Sequence, residues 1–495
     1  MSRLRLAFAL LPLFVTTVIA SPAQTFTTIY NFDDIHGSGP EALVQATNGS
    51  LYGTTRIGGA YCKGRRNGFG CGTIFRITLA GGLTTLYSFC PQGPGDCTDG
   101  ADPYAGLIQG ANGDLYGTTN GVGYGDGTTV FKITPGGALT TLYSFCSDLV
   151  GEYCLDGAFS TGGLIQDIDG NFYGTTPAGG TTNDGTIFEL TPGGTLTTLY
   201  DFGTDGVGPY AGLVAATDGN FYGTTTYGGA TGNGTIFKLS PSGTLTTLYN
   251  FCQQSGCTDG GEPTSLIQAV DGDFYGTTVY GGDSTSCPNR CGTIFRITPS
   301  GTLTTLHSFH RKDGAYPNPP MQATDGDFYG TTSSGGANNN SSCRYDCGTI
   351  FKITPGGELT TLYNFCEQSG CTDGIAPAAG LLQDTNGEFY GSTYGGGTST
   401  DCTGGCGTIF SLSVGLGPFV ETQTTSGKVG ATIKILGTNL TGATSVTFNG
   451  TAAAFTVVSP SEIVTTVPSG ATTGFVSVTT PSGVLTSNKQ FQVRP

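Results

Sequence analysis

The sequence predicts an all-β protein, a seven-bladed β-propeller of four-stranded blades closed by its N-terminal strand, followed by a separate β-sandwich. Three observations carry this expectation. Three short signatures each recur seven times between residues 26 and 413. The repeats begin with a lone last strand and end with the three strands that lack it. Glycine supplies 85 of 495 residues without a Gly-x-y period, which suits tight turns between short strands and excludes collagen.

The chain opens on a segment that reads as a secretory signal, residues 1–23. Arg3 and Arg5 precede an apolar run from Leu6 to Val15, and small residues at Ala20 and Ala23 offer cleavage points. The run is short for a membrane span, which needs about 20 residues. No other stretch approaches that length, so the mature chain is expected outside the cytoplasm, secreted, periplasmic or at the cell surface, without a membrane span. Its formal charge is −16 overall. That balance argues against nucleic acid, whose binders carry a positive footprint.

The first signature, Tyr-Gly-Thr-Thr, starts at Tyr52, Tyr116, Tyr173, Tyr222, Tyr275 and Tyr329, and at Tyr390 as Tyr-Gly-Ser-Thr. Gly-Thr-Ile-Phe follows from Gly72, Gly185, Gly234, Gly292, Gly348 and Gly407, with a Gly-Thr-Thr-Val-Phe variant at Gly127. Leu-Thr-Thr-Leu-Tyr-x-Phe starts at Leu83, Leu139, Leu196, Leu245, Leu303 and Leu359, with a variant from Phe26. These are strands B, C and D of each unit. Strand A is the preceding apolar run, such as Ala211-Gly-Leu-Val-Ala. Asp-Gly or Asn-Gly joins A to B in every repeat, as at Asn48-Gly49 and Asp218-Gly219, and favours a tight hairpin by tolerating positive φ. Four antiparallel strands repeated seven times describe a propeller over residues 24–414. Pairing the first D strand, Phe26 to Phe32, with the last C strand completes the seventh blade and leaves no open edge.

Beyond a linker at 415–417 the period stops. Residues 418–495 hold short alternating strands between glycine and proline turns, the pattern of a β-sandwich. With Gly430, Gly437-Thr-Asn-Leu440, Val446-Thr-Phe-Asn-Gly450 and Val467-Pro-Ser-Gly470, this segment resembles the immunoglobulin-like IPT/TIG family. That resemblance implies an Ig-like spacer or adhesive module. The three repeat signatures resemble the GloVer tandem-repeat family of secreted bacterial proteins, which implies bacterial export but no ligand or activity.

All 16 cysteines fall in the repeats as eight local pairs. Between strands B and C lie Cys62 with Cys71, Cys287 with Cys291, Cys343 with Cys347, and Cys402 with Cys406. Between strand D and the next strand A lie Cys90 with Cys97, Cys146 with Cys154, Cys252 with Cys257, and Cys366 with Cys371. Every such loop has two cysteines or none, as local disulfides require. A zinc site built from four thiolates needs two pairs together. Pairing each B–C loop with the D–A loop that leads into its blade allows this only in the fifth and seventh blades. In a four-stranded meander both loop classes emerge on one face, so the disulfides mark that face and a ligand is expected there.

The D–A loops repeat Asp-Gly-x-x-Pro at Asp99, Asp205, Asp259, Asp313 and Asp373, with a variant at Asp156. Seen along the axis, these could ring the channel mouth and bind calcium through oxygen ligands. The plainer reading is that each Asp caps its own turn. Tyr104, Tyr210 and Tyr316, at the starts of inner strands, are the aromatic ligand candidates. Lys63, Arg65 and Arg66 are the basic ones, suited to an acidic polysaccharide. No His-Glu-x-x-His or Gly-x-Ser-x-Gly motif occurs, and the acids mostly repeat from blade to blade, whereas a catalytic site should break the symmetry. The sequence therefore points to a secreted non-enzymatic binding protein without a cofactor. Its expected partner is carbohydrate or an envelope or matrix protein. A polysaccharide lyase or glycosidase using channel-mouth carboxylates, and a structural matrix component, are the alternatives.

Overall fold

The glycines of the two shorter signatures exist because side chains fill the space a Cβ would need. A Cβ on Gly174 of Tyr-Gly-Thr-Thr would lie 2.5 Å from the ring of Phe188 in the adjacent strand. At Gly185 of Gly-Thr-Ile-Phe, φ is +107°, and a Cβ would lie 2.4 Å from the Thr176 carbonyl and 2.6 Å from Pro209 of the next blade. Gly185→Ala should therefore lower stability by at least about 2 kcal/mol, combining left-handed strain with overpacking. A urea midpoint measured on the disulfide-intact chain tests this, and an unchanged midpoint would refute the steric account.

The computed structural model describes residues 24–62, 71–93, 97–121, 127–147, 149–150, 153–287, 291–338 and 347–494. Seven antiparallel sheets, each ordered A-B-C-D, form the blades. The third blade is typical, with strands Ile165–Gln166, Phe172–Thr176, Thr186–Leu190 and Leu196–Asp201. The ring closes as expected, Thr25–Asn31 pairing antiparallel with Thr408–Ser413 as the outer strand of the seventh blade.

One contact set repeats around the ring. The second Thr of Tyr-Gly-Thr-Thr shares a hydroxyl hydrogen bond with the Thr of Gly-Thr-Ile-Phe, from Thr55 and Thr73 at 2.8 Å to Thr393 and Thr408 at 2.9 Å. The final Phe of strand D meets the Gly-Thr-Ile-Phe ring of the next blade edge-on, as in Phe202 with Phe237 at 5.4 Å. Phe32 with Phe75 at 5.2 Å repeats this contact across the closure. Signature tyrosines pack on the next blade's B strand, as in Tyr222 with Phe274 at 4.1 Å, while each hydroxyl reaches the A–B turn, as at Asp218, 2.9 Å away. The aromatic signatures are thus the packing between blades.

Strand A is shorter than its apolar run. In the fourth blade only Val214–Ala215 pairs, where the sequence suggested all of Ala211 to Ala215. The cause is crowding where inner strands converge, since a Cβ on Gly212 would lie 2.5 Å from the Gly163 carbonyl of the neighbouring blade. The run instead serves its neighbours, the Ala211 carbonyl accepting from the Thr175 hydroxyl at 2.8 Å.

Residues 420–494 form the second all-β unit, from Val420–Thr422 to the long last strand Gly483–Arg494. Its core includes Val420, Ile435, Phe448, Ile463, Val478 and Phe491. This unit sits on the A–B turns of the propeller. The Phe419 N–H donates to the Thr385 carbonyl at 3.0 Å. Ser461 Oγ donates to the Thr47 carbonyl at 2.8 Å, and Gln423 Nε2 to the Gly110 carbonyl at 2.6 Å. The seventh, first and second blades therefore carry it on the face opposite the long loops. No helix among the described residues is long and apolar enough to cross a membrane.

Candidate functional site

Each blade is entered by a loop whose residue before the proline, or before Ser160 in the third blade, adopts a left-handed backbone. These residues are Gly39, Asp102, Phe159, Gly208, Glu262, Tyr316 and Ala376, with φ between 51° and 66°. Five are not glycine, although this conformation costs such a residue about 1–2 kcal/mol. Interblade hydrogen bonds hold it. The Asp102 N–H reaches the Cys71 carbonyl at 3.2 Å, Glu262 reaches Asn233 at 2.9 Å, and Tyr316 reaches Cys291 at 3.0 Å. The bonds put the D–A and B–C loops on one face. They use only backbone, so the side chain here is free to differ from blade to blade.

It does differ, and most sharply between the seventh and second blades. Arg56 directly follows Tyr-Gly-Thr-Thr in the first blade. Its Nε lies 3.1 Å from Asp102 Oδ1 and 3.8 Å from Glu41 Oε1, and its guanidinium carbon lies 4.2 Å from the centre of the Tyr104 ring. Asn120 Nδ2 donates to Asp102 Oδ2 at 3.1 Å. Asp102 is thus the closer partner of Arg56. Glu41, only 5% exposed, is pushed up to about 8 by burial and by Asp102, against the pull of Arg56. Burial works against the Arg56 charge, but Asp102 and Glu41 outweigh it and raise its pKa. At neutral pH Glu41 therefore holds its proton beside the charged Arg56 guanidinium.

Tyrosines surround this cluster. Tyr104 and Tyr394 are exposed beside it, and burial followed by Glu41 raises the Tyr104 hydroxyl. On the fourth to sixth blades Tyr210 and Tyr227 are exposed, and Tyr280 meets Tyr316 edge-on at 6.0 Å. Burial and then Glu262 raise both Tyr227 and Tyr280.

The three tyrosines expected from the sequence all lie on this face but are not equivalent. Tyr104 and Tyr210 follow their prolines, whereas Tyr316 precedes Pro317 and takes the left-handed position. Lys63, Arg65 and Arg66 lie outside the described residues. Glu41, Arg56, Asp102, Asn120 and Tyr394 were not singled out from the sequence. The available signal is their place, immediately after or within a repeated motif at positions that vary between repeats.

The Asp-Gly carboxylates are engaged by their own loops. Asp259 accepts from the Tyr249 hydroxyl at 2.9 Å and from the Gln253 N–H at 3.0 Å. Asp373 accepts from Tyr363 and Glu367, Asp99 from Tyr87 and Cys90, and Asp205 from Tyr200 and Gly203. Asp313 meets His307 and the His310 N–H instead.

The cysteines pair within their loops as the sequence suggested. In the B–C loops, Cys62 is bonded to Cys71, Cys287 to Cys291, and Cys402 to Cys406. In the D–A loops, Cys90 is bonded to Cys97, Cys146 to Cys154, Cys252 to Cys257, and Cys366 to Cys371. The remaining expected pair is Cys343 with Cys347, and Cys343 lies outside the described residues. The B–C loops bond to both neighbouring D–A loops, to the leading one as Gly282 N–H to the Cys257 carbonyl at 3.0 Å, and to the leaving one as Asp102 N–H to the Cys71 carbonyl at 3.2 Å. Among the described residues the sulfur atoms gather with the leaving loop, Cys62, Cys71 and Cys90 in the first blade and Cys347, Cys366 and Cys371 in the sixth, rather than in the fifth and seventh blades.

The profile of the Gloeobacter/Verrucomicrobia repeat matches residues 16–216, 67–287, 152–342 and 284–454, and that of the IPT/TIG domain matches 418–493. No curated protein matches the chain in sequence. Among solved structures, a fungal alcohol oxidase of the AA5 family, in complex with copper, is similar over 95% of this chain and 99% of its own, at 12% identity and a TM-score of 0.50. The PQQ-bound aldose sugar dehydrogenase of Streptomyces coelicolor is similar over 62% of this chain and 92% of its own, at 14% identity and a TM-score of 0.38. At such identities the likeness is one of fold.

Proposed function

The chain belongs to the Gloeobacter/Verrucomicrobia repeat family and carries a C-terminal IPT/TIG domain, and from that premise we propose an exported binding protein that holds envelope or matrix carbohydrate at the tyrosine-rimmed mouth of the ring. One observation carries the reading: the polar side chains that break the sevenfold repeat, Arg56, Asp102 and Asn120, converge beside exposed Tyr104 and Tyr394. Flat aromatic faces stack on sugar rings, and a few fixed polar groups set orientation. The Ig-like unit occupies the opposite face, leaving the disulfide-bearing loops open to a ligand.

A second reading, a polysaccharide-active enzyme, draws support from Glu41, whose raised pKa is one a general acid would have. Its burial favours the binding reading, because a carboxyl 5% exposed acts on its neighbours rather than on a polymer. Both readings are tested by screening the mature chain on glycan and cell-wall preparations. Tyr104→Ala and Arg56→Ala should each weaken capture at least about tenfold, the loss of one stacking or charge-assisted contact. Product release by the wild-type chain would replace the binding reading with the enzymatic one.

A further inference from the structure

The loop leaving the fifth blade departs from its six counterparts at two positions. Strand D of most repeats ends in Tyr-x-Phe, and that tyrosine donates to the Asp of the following Asp-Gly, as Tyr249 does to Asp259 and Tyr363 to Asp373. In the fifth blade the tyrosine is replaced by His307. The residue after the final Phe begins a disulfide at Cys90, Cys146, Cys252 and Cys366, and here it is His310. Two of the chain's three histidines thus enter one loop where a tyrosine and a cysteine are the rule.

Both histidines face one carboxylate. His307 Nε2 lies 3.1 Å from Asp313 Oδ2, and His310 Nδ1 lies 4.0 Å from the same oxygen. Ligand atoms of the three residues all lie within 4.8 Å of one another. The His310 N–H holds the other oxygen, Asp313 Oδ1, at 2.7 Å, which orients the carboxylate. Bonds of about 2.0–2.1 Å to a tetrahedral ion place ligand atoms roughly 3.3 Å apart, so small side-chain rotations would suffice. His310 is the most exposed of the three, its side chain 56% accessible, which leaves a path for entry.

We propose that His307, His310 and Asp313 form a site for a divalent transition ion of the zinc and copper(II) class. Two imidazole nitrogens and one carboxylate oxygen suit those ions, whereas calcium prefers an all-oxygen shell. Three protein ligands leave a position open to water or to an outside ligand. The ion would clip the loop where four other repeats use a disulfide.

The test is zinc titration of the mature, disulfide-intact chain against a chromophoric chelator, with copper(II) electron paramagnetic resonance as a second readout. The wild-type chain should bind one ion at this site, with nitrogen hyperfine structure in the copper spectrum. H307Y restores the residue of the other repeats and should keep the thermal transition while weakening binding by at least about 10–100-fold, the range that loss of a mere second-shell partner already costs. H310Q should do the same, and H36Q should change nothing. A wild-type chain that binds no ion, or unchanged binding in H307Y and H310Q, would overturn the site.

Discussion

A chain in which residues 24–32 are deleted should lose its cooperative thermal transition and elute as aggregate. That segment is the outer strand of the seventh blade, paired along Thr408–Ser413. Phe26 stacks on Tyr363 at 3.9 Å, and Phe32 is fully buried against Phe75. Asn31 Oδ1 also accepts the Thr398 N–H at 3.0 Å. Each buried aromatic contributes about 1.5–3 kcal/mol, so losing several approaches the whole stability of a typical domain, about 5–15 kcal/mol. The deletion would also bare strand 408–413 as an edge open to other chains. Single substitutions separate closure from packing. Phe32→Ala and Phe202→Ala remove the same contact, one at the closure and one inside the ring, and each should cost about 3–5 kcal/mol. Loss of the ring by Phe32→Ala alone would place the weak point at the closure. A folded monomer after the deletion would mean that closure by the terminal strand is dispensable.

The reason this strand was legible is that its partner was also legible. Phe26 to Phe32 copies a motif found six times more, and the last repeat lacks that motif, so the two halves of one blade identify each other. The same logic explains the cysteine pairs and the A–B turns. It fails wherever repetition ends. Glu41, Arg56, Asp102, Asn120 and Tyr394 sit at positions that differ from blade to blade, and repetition gives no reason to join them. Their convergence depends on the left-handed turn before each proline, held by bonds between blades, which local sequence does not announce in Asp102 or Glu262. Docking of the Ig-like unit was equally hidden, because Ser461, Gln423 and Phe419 make one-off contacts with turn carbonyls. The cysteine clusters were hidden for a topological reason: sequence order suggests only the loop that leads into a blade, while strand order also brings the one that leaves it against the B–C loop.

The wild-type chain should become less stable as pH rises from about 4.5 to about 8, and Glu41→Gln should remove much of that loss. The sign follows from where the proton sits. Burial lifts Glu41 to about 8 in the folded chain, whereas in the unfolded chain it titrates near its ordinary value of 4.5. Below about 4.5 both states hold the proton and the stability contribution is fully present. Between the two values only the folded state holds it, so stability falls with pH, and the loss is complete above about 8. At about 1.4 kcal/mol per pH unit this amounts to on the order of 5 kcal/mol. Asp384, lifted by burial to about 6 at the contact with the Ig-like unit, adds a slope of the same sign. That slope is common to both proteins, so the difference between wild type and Glu41→Gln isolates Glu41. Thermal midpoints at pH 5 and pH 8.5 are the measurement. Parallel pH dependence in the two proteins would mean that Glu41 is ionised and paired with Arg56, and that the mouth of the ring carries one more negative charge. Asp102→Asn tests the same balance from the other side. It takes away the 3.1 Å partner of Arg56, which leaves Glu41 as the counterion and removes the repulsion from Asp102, so the Glu41 pKa should fall and its pH slope should shrink, while burial keeps it above the ordinary value.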